Sequence, residues 1–186
     1  MTDKIYIILN IILVILEVIA AYKRKPDISW QALAFYTVLS NIMAMISSLV
    51  LLITGFNGVS VLLRYLACCM MAMTFFVTTC ILVPLGGDPN MLLFSGSGLY
   101  QHLLCPVLCV CSYIFFEHHS RLWAVPVVLT FAYGMLMLYL NHKNVVDGPY
   151  PFFRVHQQTA GKTVLWMTAL LCLIAAVSLL MLLAAK

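Results

Sequence analysis

The sequence predicts an all-α membrane protein, a six-transmembrane-helix bundle with both termini on the same side. Hydrophobic residues make up 64% of the 186 residues and charged residues only 9%, a composition that is typical of integral membrane proteins. The apolar residues also fall into six blocks of roughly 20 residues, the length at which a helix crosses a hydrocarbon core about 30 Å thick. We therefore expect residues 1–186 to form a single integral membrane domain.

Short polar segments separate the six apolar blocks and set the predicted bounds of the spans. These segments are Lys23–Asp27, Gly55–Gly58, Pro84–Asn90 and Glu117–Ser120. The predicted spans are 5–22, 31–54, 60–84, 94–116, 121–141 and 163–184. Only the loop 142–162 is long enough to fold over a membrane face, and we expect it to cap a site there. Its aromatic cluster, Tyr150–Phe153, is typical of residues at the level of the lipid headgroups.

The distribution of basic residues predicts the orientation of the bundle. We call the side that carries loops 23–30, 85–93 and 142–162 the loop side, and the opposite side the terminal side. The loop side carries Lys23, Arg24, Lys25, Lys143, Arg154 and Lys162, and the terminal side carries Lys4, Arg121 and Lys186. Because cytoplasmic loops are enriched in Lys and Arg, we expect the loop side to be cytoplasmic.

Arg64 and the cysteines lie in the apolar blocks, and we expect both to have structural roles. Arg64 sits about 7 Å inside the terminal side, where a long cationic side chain is expected to extend to the headgroups. All seven cysteines also lie inside apolar blocks, and an odd number at membrane depth is a poor disulfide framework. We expect them to be small packing residues between helices. They are Cys68, Cys69, Cys80, Cys105, Cys109, Cys111 and Cys172.

Polar side chains from four spans fall at one level, near the loop side of the membrane. Thr37, Thr78 and Glu17 lie six or seven residues inside that side, a depth of about 10 Å. His102 lies about one turn inside it, and Asn41 lies one turn below Thr37 on the same helix face. A threonine in a membrane helix often bonds only its own backbone. Because unpartnered polar groups are costly in hydrocarbon, the coincidence nevertheless indicates a functional site.

Pro106 predicts an irregular backbone beside His102. Proline has no N–H group, so it cannot donate to the carbonyl of His102, four residues earlier. The preceding Ser95–Gly98 segment also predicts a broken start of the fourth span. Such irregularity at membrane depth is tolerated where the backbone is buried in protein or lines a wet cavity. We therefore expect a cavity that opens to the loop side.

These residue types predict acyl-transfer chemistry. A threonine hydroxyl becomes nucleophilic when a base removes its proton, and histidine is the usual base near neutral pH. The pattern therefore suggests a threonine as nucleophile and a histidine as base, with Glu17 orienting the imidazole. Asn41 or Thr78 would donate a hydrogen bond to the developing oxyanion. A site at this depth favours a membrane lipid ester as substrate and water as acceptor, and it requires no cofactor.

Three segments resemble a known family. Phe35–Asn41 (FYTVLSN), Leu99–Pro106 (LYQHLLCP) and Gly148–Phe153 (GPYPFF) resemble bacterial six-transmembrane relatives of the androgen-induced and androgen-dependent TFPI-regulating proteins of animals. The animal proteins are threonine hydrolases of fatty acid esters of hydroxy fatty acids. The resemblance implies a bacterial cell membrane, a lipid-ester substrate, Thr37 as nucleophile and His102 as base. Glu17 is not part of the resemblance. The chain is shorter than the animal proteins, and the residues around Thr37 match the bacterial pattern better.

Other functions remain open from the sequence. A membrane acyltransferase would use a cysteine nucleophile, and Cys105 and Cys109 lie on the same helix face as His102. That face could also offer metal ligands, but one helix rarely completes a coordination sphere, so we predict no metal site. A non-enzymatic transporter or membrane scaffold is the third alternative, although the internal repeats common in transporters are absent. The sequence has no basic stripe with interleaved aromatic residues, so we do not expect nucleic acid as a partner.

Overall fold

Six helices form the bundle in the computed structural model, which describes residues 4–24 and 30–184. The helices are α1 (Ile5–Arg24), α2 (Tyr36–Thr54), α3 (Gly58–Val77), α4 (Cys105–Phe116), α5 (Ala124–His142) and α6 (Ala160–Ala184). With the π-helical turns that extend α3 and precede α4, all six are long and apolar enough to cross a membrane. The described residues contain no strand, and the predicted all-α six-helix fold is confirmed.

The helix bounds differ from the predicted spans in two places that matter for the site. The second span was expected to begin at residue 31, but a 3-10 turn occupies Trp30–Ala34 and Phe35 is extended (φ −84°, ψ 124°), so α2 begins only at Tyr36. The fourth span begins at Leu99 instead of residue 94, after a turn in which Gly96 has φ +55°. Lys25, Pro26, Asp27 and Lys186, which the sequence predictions used, lie outside the described residues.

Helix α3 lies at the centre of the bundle. It packs against α2, α4, α5 and α6. In the most apolar 18-residue stretch of its span, 61% of residues are buried, against 39% or less in the corresponding stretch of every other span. Small side chains on α3, including Ala67, Cys68 and Cys69, are fully buried and allow neighbouring helices to approach closely. The seven cysteines are free, and four of them are buried in this core.

A buried ion pair joins four helices near the terminal side and corrects the prediction for Arg64. Instead of extending to the headgroups, the Arg64 side chain is fully buried, and its Nε donates to Glu117 Oε2 at 2.7 Å. Arg64 Nη2 donates to Glu117 Oε1, and Asn10 and Ser112 donate to that same oxygen. Arg64 Nη1 donates to hydroxyls of Ser47 and Ser48 on α2. The guanidinium remains inside because these partners compensate its desolvation.

Candidate functional site

Thr37 lies in the first turn of α2, because the helix begins one residue earlier. Its side chain is only 6% exposed. Ser40 Oγ and Asn41 Nδ2 both donate to the Thr37 carbonyl, at 2.9 and 2.7 Å, which fixes the backbone at this position. The N-terminus of a helix carries a partial positive charge, which favours negative charge on a nearby oxygen. The late start of α2 therefore places the Thr37 hydroxyl where an alkoxide would be stabilised.

Tyr150 folds into the bundle and contacts Thr37. The aromatic side chains of this loop pack inside the protein instead of facing lipid, since Tyr150, Phe152 and Phe153 are each 7% exposed or less. They pack against one another and against Phe35 on the loop side of the bundle. The Thr37 N–H donates to Tyr150 Oη at 3.2 Å, and the Thr37 hydroxyl lies 3.2 Å from the same atom. Burial raises the pKa of Tyr150, so its phenol stays protonated and can donate to Thr37 Oγ1.

His102 and Thr78 form a hydrogen bond between two π-helical turns. Thr78 begins the π turn Thr78–Leu82 at the end of α3, and His102 lies in the π turn Leu99–Leu104 before α4. Thr78 Oγ1 lies 2.8 Å from His102 Nδ1. If the hydroxyl accepts from Nδ1–H, the lone pair of the neutral imidazole is on Nε2, for which no partner is found in the described part of the chain. π turns are frequent at functional sites, and Pro106 was the sequence signal for this one.

One cavity of about 490 Å³ connects these groups at the loop side. Thr37, His102 and Tyr150 all line it, together with Arg24 and Gln101. Arg24 Nη1 donates to Gln101 Oε1 at 3.2 Å, so a cation lies in the wall of the cavity. Leu85–Gly87, Ser97 and Pro149 complete the wall from three loops. The volume lies within the range of small-molecule sites in proteins.

Thr37 and His102 share the cavity but are not hydrogen-bonded to each other in the described residues. Each has a different partner, Tyr150 for Thr37 and Thr78 for His102. A smaller chamber of about 40 Å³, with a mostly apolar lining, also contacts Thr37 and Thr78. Thr37 and His102 therefore face common space, in which a small molecule could contact both side chains.

Glu17 and Asn41 do not occupy the positions expected from the sequence. Glu17 lines a separate groove between α1 and α2, and Thr78, not Glu17, lies beside the imidazole. The Asn41 amide donates to two backbone carbonyls, those of Thr37 and Gln101, so both N–H groups are engaged and neither is available to an oxyanion. A neutral hydroxyl at Nδ1 orients the ring but can either donate or accept, and it stabilises an imidazolium less than a carboxylate would.

The cysteines of the alternative interpretation are closed to substrate. Cys105 and Cys109 are both 0% exposed, and neither lines the cavity that contains His102. The Cys105 thiol lies instead against Glu17, and Cys68 contacts the backbone of Cys109. No cluster of three metal-ligating side chains is found among the described residues.

Tyr150 and Arg24 are the site residues that sequence reasoning missed. From the sequence, Tyr150 is expected among the aromatic residues at headgroup level, and Arg24 counts only as one of the basic residues that predict the membrane orientation. The Gly148–Phe153 segment was noted for its resemblance, and that was the available signal for Tyr150. No protein-family model matches the chain, and no curated protein or solved structure shows significant similarity to it.

Proposed function

We propose that the protein is an intramembrane hydrolase of a lipid ester, with Thr37 as the nucleophile and His102 as the base. One observation carries this proposal: a threonine and a histidine from different helices line the same cavity at membrane depth. The first-turn position of Thr37 and the open Nε2 of His102 support these roles. The substrate class and the bacterial membrane follow from the family resemblance and remain part of the proposal.

In the first step, Thr37 Oγ1 attacks the ester carbonyl while His102 Nε2 accepts the hydroxyl proton. A C–O bond forms between the acyl carbon and Thr37, and the carbonyl π electrons move to the oxygen. When the tetrahedral intermediate collapses, the bond to the alcohol oxygen breaks, and His102 returns the proton to that oxygen. The products of this step are a free alcohol and an acyl-threonine.

In the second step, a water molecule attacks the acyl carbon and His102 accepts its proton. Collapse of this intermediate breaks the bond to Thr37, which recovers its proton from His102 and releases a carboxylic acid. The phenol of Tyr150 is the donor placed to stabilise the oxyanion in both steps, because it lies 3.2 Å from the nucleophilic oxygen. Arg24 provides a cation in the cavity wall for a carboxylate on the substrate or product.

The proposed orientation places the cavity on the cytoplasmic side. Among the described residues, Lys23, Arg24, Lys143, Arg154 and Lys162 lie on the loop side. Lys4 and Arg121 lie on the terminal side, and Arg64 is taken up by its ion pair. The excess of basic residues on the loop side supports a cytoplasmic location of that side.

A fluorophosphonate probe on membranes that contain the protein tests the proposal. We expect the probe to label the wild type at Thr37, with the site identified by mass spectrometry. Thr37→Ala should abolish labelling, and His102→Gln should reduce it by about 100-fold or more, because general-base catalysis contributes about 10²–10⁴-fold. Thr79→Ala is the matched control, because its hydroxyl is bonded to the Phe75 carbonyl and lines neither the cavity nor the chamber.

The alternative functions give different outcomes in the same experiment. Labelling that survives Thr37→Ala and disappears in Cys105→Ala would replace the proposal with the cysteine acyltransferase. A folded wild type that is never labelled and never hydrolyses a fluorogenic lipid ester would overturn the enzymatic function. A solute that crosses liposomes unchanged would then indicate transport.

A further inference from the structure

A second groove lies between α1 and α2, beside the proposed catalytic cavity. Its volume is about 400 Å³. Apolar side chains form most of its wall, among them Ala21, Leu33 and Ile42. Leu33 is 52% exposed, so the groove opens at the outer surface of the bundle, where acyl chains surround a membrane protein. An alkyl chain is therefore the natural occupant of its apolar part.

Two buried oxygen atoms in this groove have no hydrogen-bond partner in the described part of the chain. They are Glu17 Oε1 and Asn41 Oδ1, whose side chains line the groove and are 5% and 4% exposed. A buried acceptor that lacks a partner costs about 1–3 kcal/mol. Because two of them line one groove, the groove is incomplete without a molecule that donates hydrogen bonds.

We propose that this groove binds a lipid that carries a hydroxyl group on its alkyl chain. A hydroxyl donates to an acceptor such as Glu17 Oε1 or Asn41 Oδ1, and the alkyl chain covers the apolar wall. A cationic amine would also donate, but Arg24 lines the same groove and repels positive charge. A carboxylate has no proton to donate, so it would leave both acceptors without a partner. A neutral alcohol satisfies all of these constraints.

The groove is distinct from the catalytic cavity, although the two adjoin. Arg24 and Gln101 line both spaces, and the hydrogen bond between them forms part of the partition. Neither Thr37 nor His102 lines the groove. Binding of the alcohol therefore does not depend on the proposed hydrolysis, and it can be measured in a protein that lacks the nucleophile.

Photolabelling of the protein in nanodiscs tests the proposal. The probe is hexadecanol with a diazirine in its chain, and the control probe is its methyl ether, which accepts but cannot donate a hydrogen bond. We expect the alcohol to label α1 and α2 about fivefold more than the ether, which corresponds to about 1 kcal/mol for one hydrogen bond. Glu17→Leu should bring the two probes to equal labelling.

Two further variants make the result independent of folding defects in Glu17→Leu. Ala21→Phe fills the groove and should abolish labelling, whereas Val18→Phe adds the same bulk to a residue that is 56% exposed and does not line the groove, and should leave labelling unchanged. Thr37→Ala should label like the wild type. Equal labelling by alcohol and ether in the wild type would show that no hydrogen bond donated by the ligand contributes to binding, and it would overturn the proposal. Labelling that Ala21→Phe does not reduce would overturn the assigned location.

Discussion

Replacement of Glu117 by leucine should strongly destabilise the bundle near the terminal side. The change leaves the Arg64 guanidinium fully buried, and the acceptors that remain for Nη1 are the neutral hydroxyls of Ser47 and Ser48. Arginine cannot lose its proton to escape this environment. Removal of one partner of a buried pair costs about 3–5 kcal/mol, and the upper end of that range applies here because Arg64 is 0% exposed.

The replacement of Arg64 should lower the free energy of unfolding by less than the replacement of Glu117. The replacement of both residues should lower it least. In Arg64→Met the remaining carboxyl can take up a proton, which at pH 7 costs at most about 3.4 kcal/mol for a group with an ordinary pKa of 4.5. The double variant Arg64→Met/Glu117→Leu removes both desolvated charges and should lie within about 2 kcal/mol of the wild type. Arg121→Met, at an exposed position on the same side, should change the stability by less than about 0.5 kcal/mol.

Unfolding in mixed SDS micelles, followed by tryptophan fluorescence, measures these differences. A second readout is acid stability. Burial alone would raise the pKa of Glu117, but Arg64 and the hydrogen bonds to the carboxylate hold it below its ordinary value. The pair therefore stabilises the protein fully above about pH 4.5, and its contribution disappears as the pH falls through the depressed folded value. The reasoning is refuted if Glu117→Leu costs less than about 1 kcal/mol, or if the costs of the two single variants simply add in the double variant.

Three predictions concern the proposed catalytic cavity. Tyr150→Phe should lower the turnover of a lipid ester by about 10–100-fold, because the oxyanion loses a donor worth about 1.5–3 kcal/mol, while Thr37 itself stays in place; an unchanged kcat would remove Tyr150 from the mechanism. Thr78→Val should lower kcat about five- to tenfold and shift the pH profile, since His102 loses the partner of Nδ1; a change in KM alone would contradict this positioning role. Arg24→Gln should raise KM about three- to tenfold for an ester with a free carboxylate and leave a neutral ester unaffected; equal effects on the two esters would argue against charge recognition.

The apolar blocks predicted the helices well because membrane-spanning length is a property of local sequence. Polar partners could not be predicted in the same way, since they depend on which helix faces pack together. Arg64 shows the difference: its depth was evident from the sequence, but its ion pair with Glu117 joins residues 53 positions apart. The extended backbone at Phe35 likewise gave no clear sequence signal, and it moves Thr37 into the first turn of α2.

The aromatic loop shows a second limit of sequence reasoning. Tyrosine and phenylalanine next to a membrane are common at headgroup depth, and composition alone does not reveal that they turn inward. Tyr150 contacts a residue 113 positions away, and only the folded bundle provides that contact. The sequence therefore predicted that Thr37 and His102 lie at one level of the bundle, and they line one cavity, but their hydrogen-bond partners could not be assigned.

The ion pair and the cavity lie at opposite ends of the bundle, which divides the molecule between the two leaflets. In one leaflet, the Arg64–Glu117 ion pair and its hydrogen bonds join the four helices α1, α2, α3 and α4. In the other leaflet, loops and π-helical turns surround the cavity that Thr37 and His102 line. If the proposed enzymatic function holds, changes in the loops around the cavity would alter substrate preference without disturbing the ion pair at the other end, so new specificities would arise at little risk to folding.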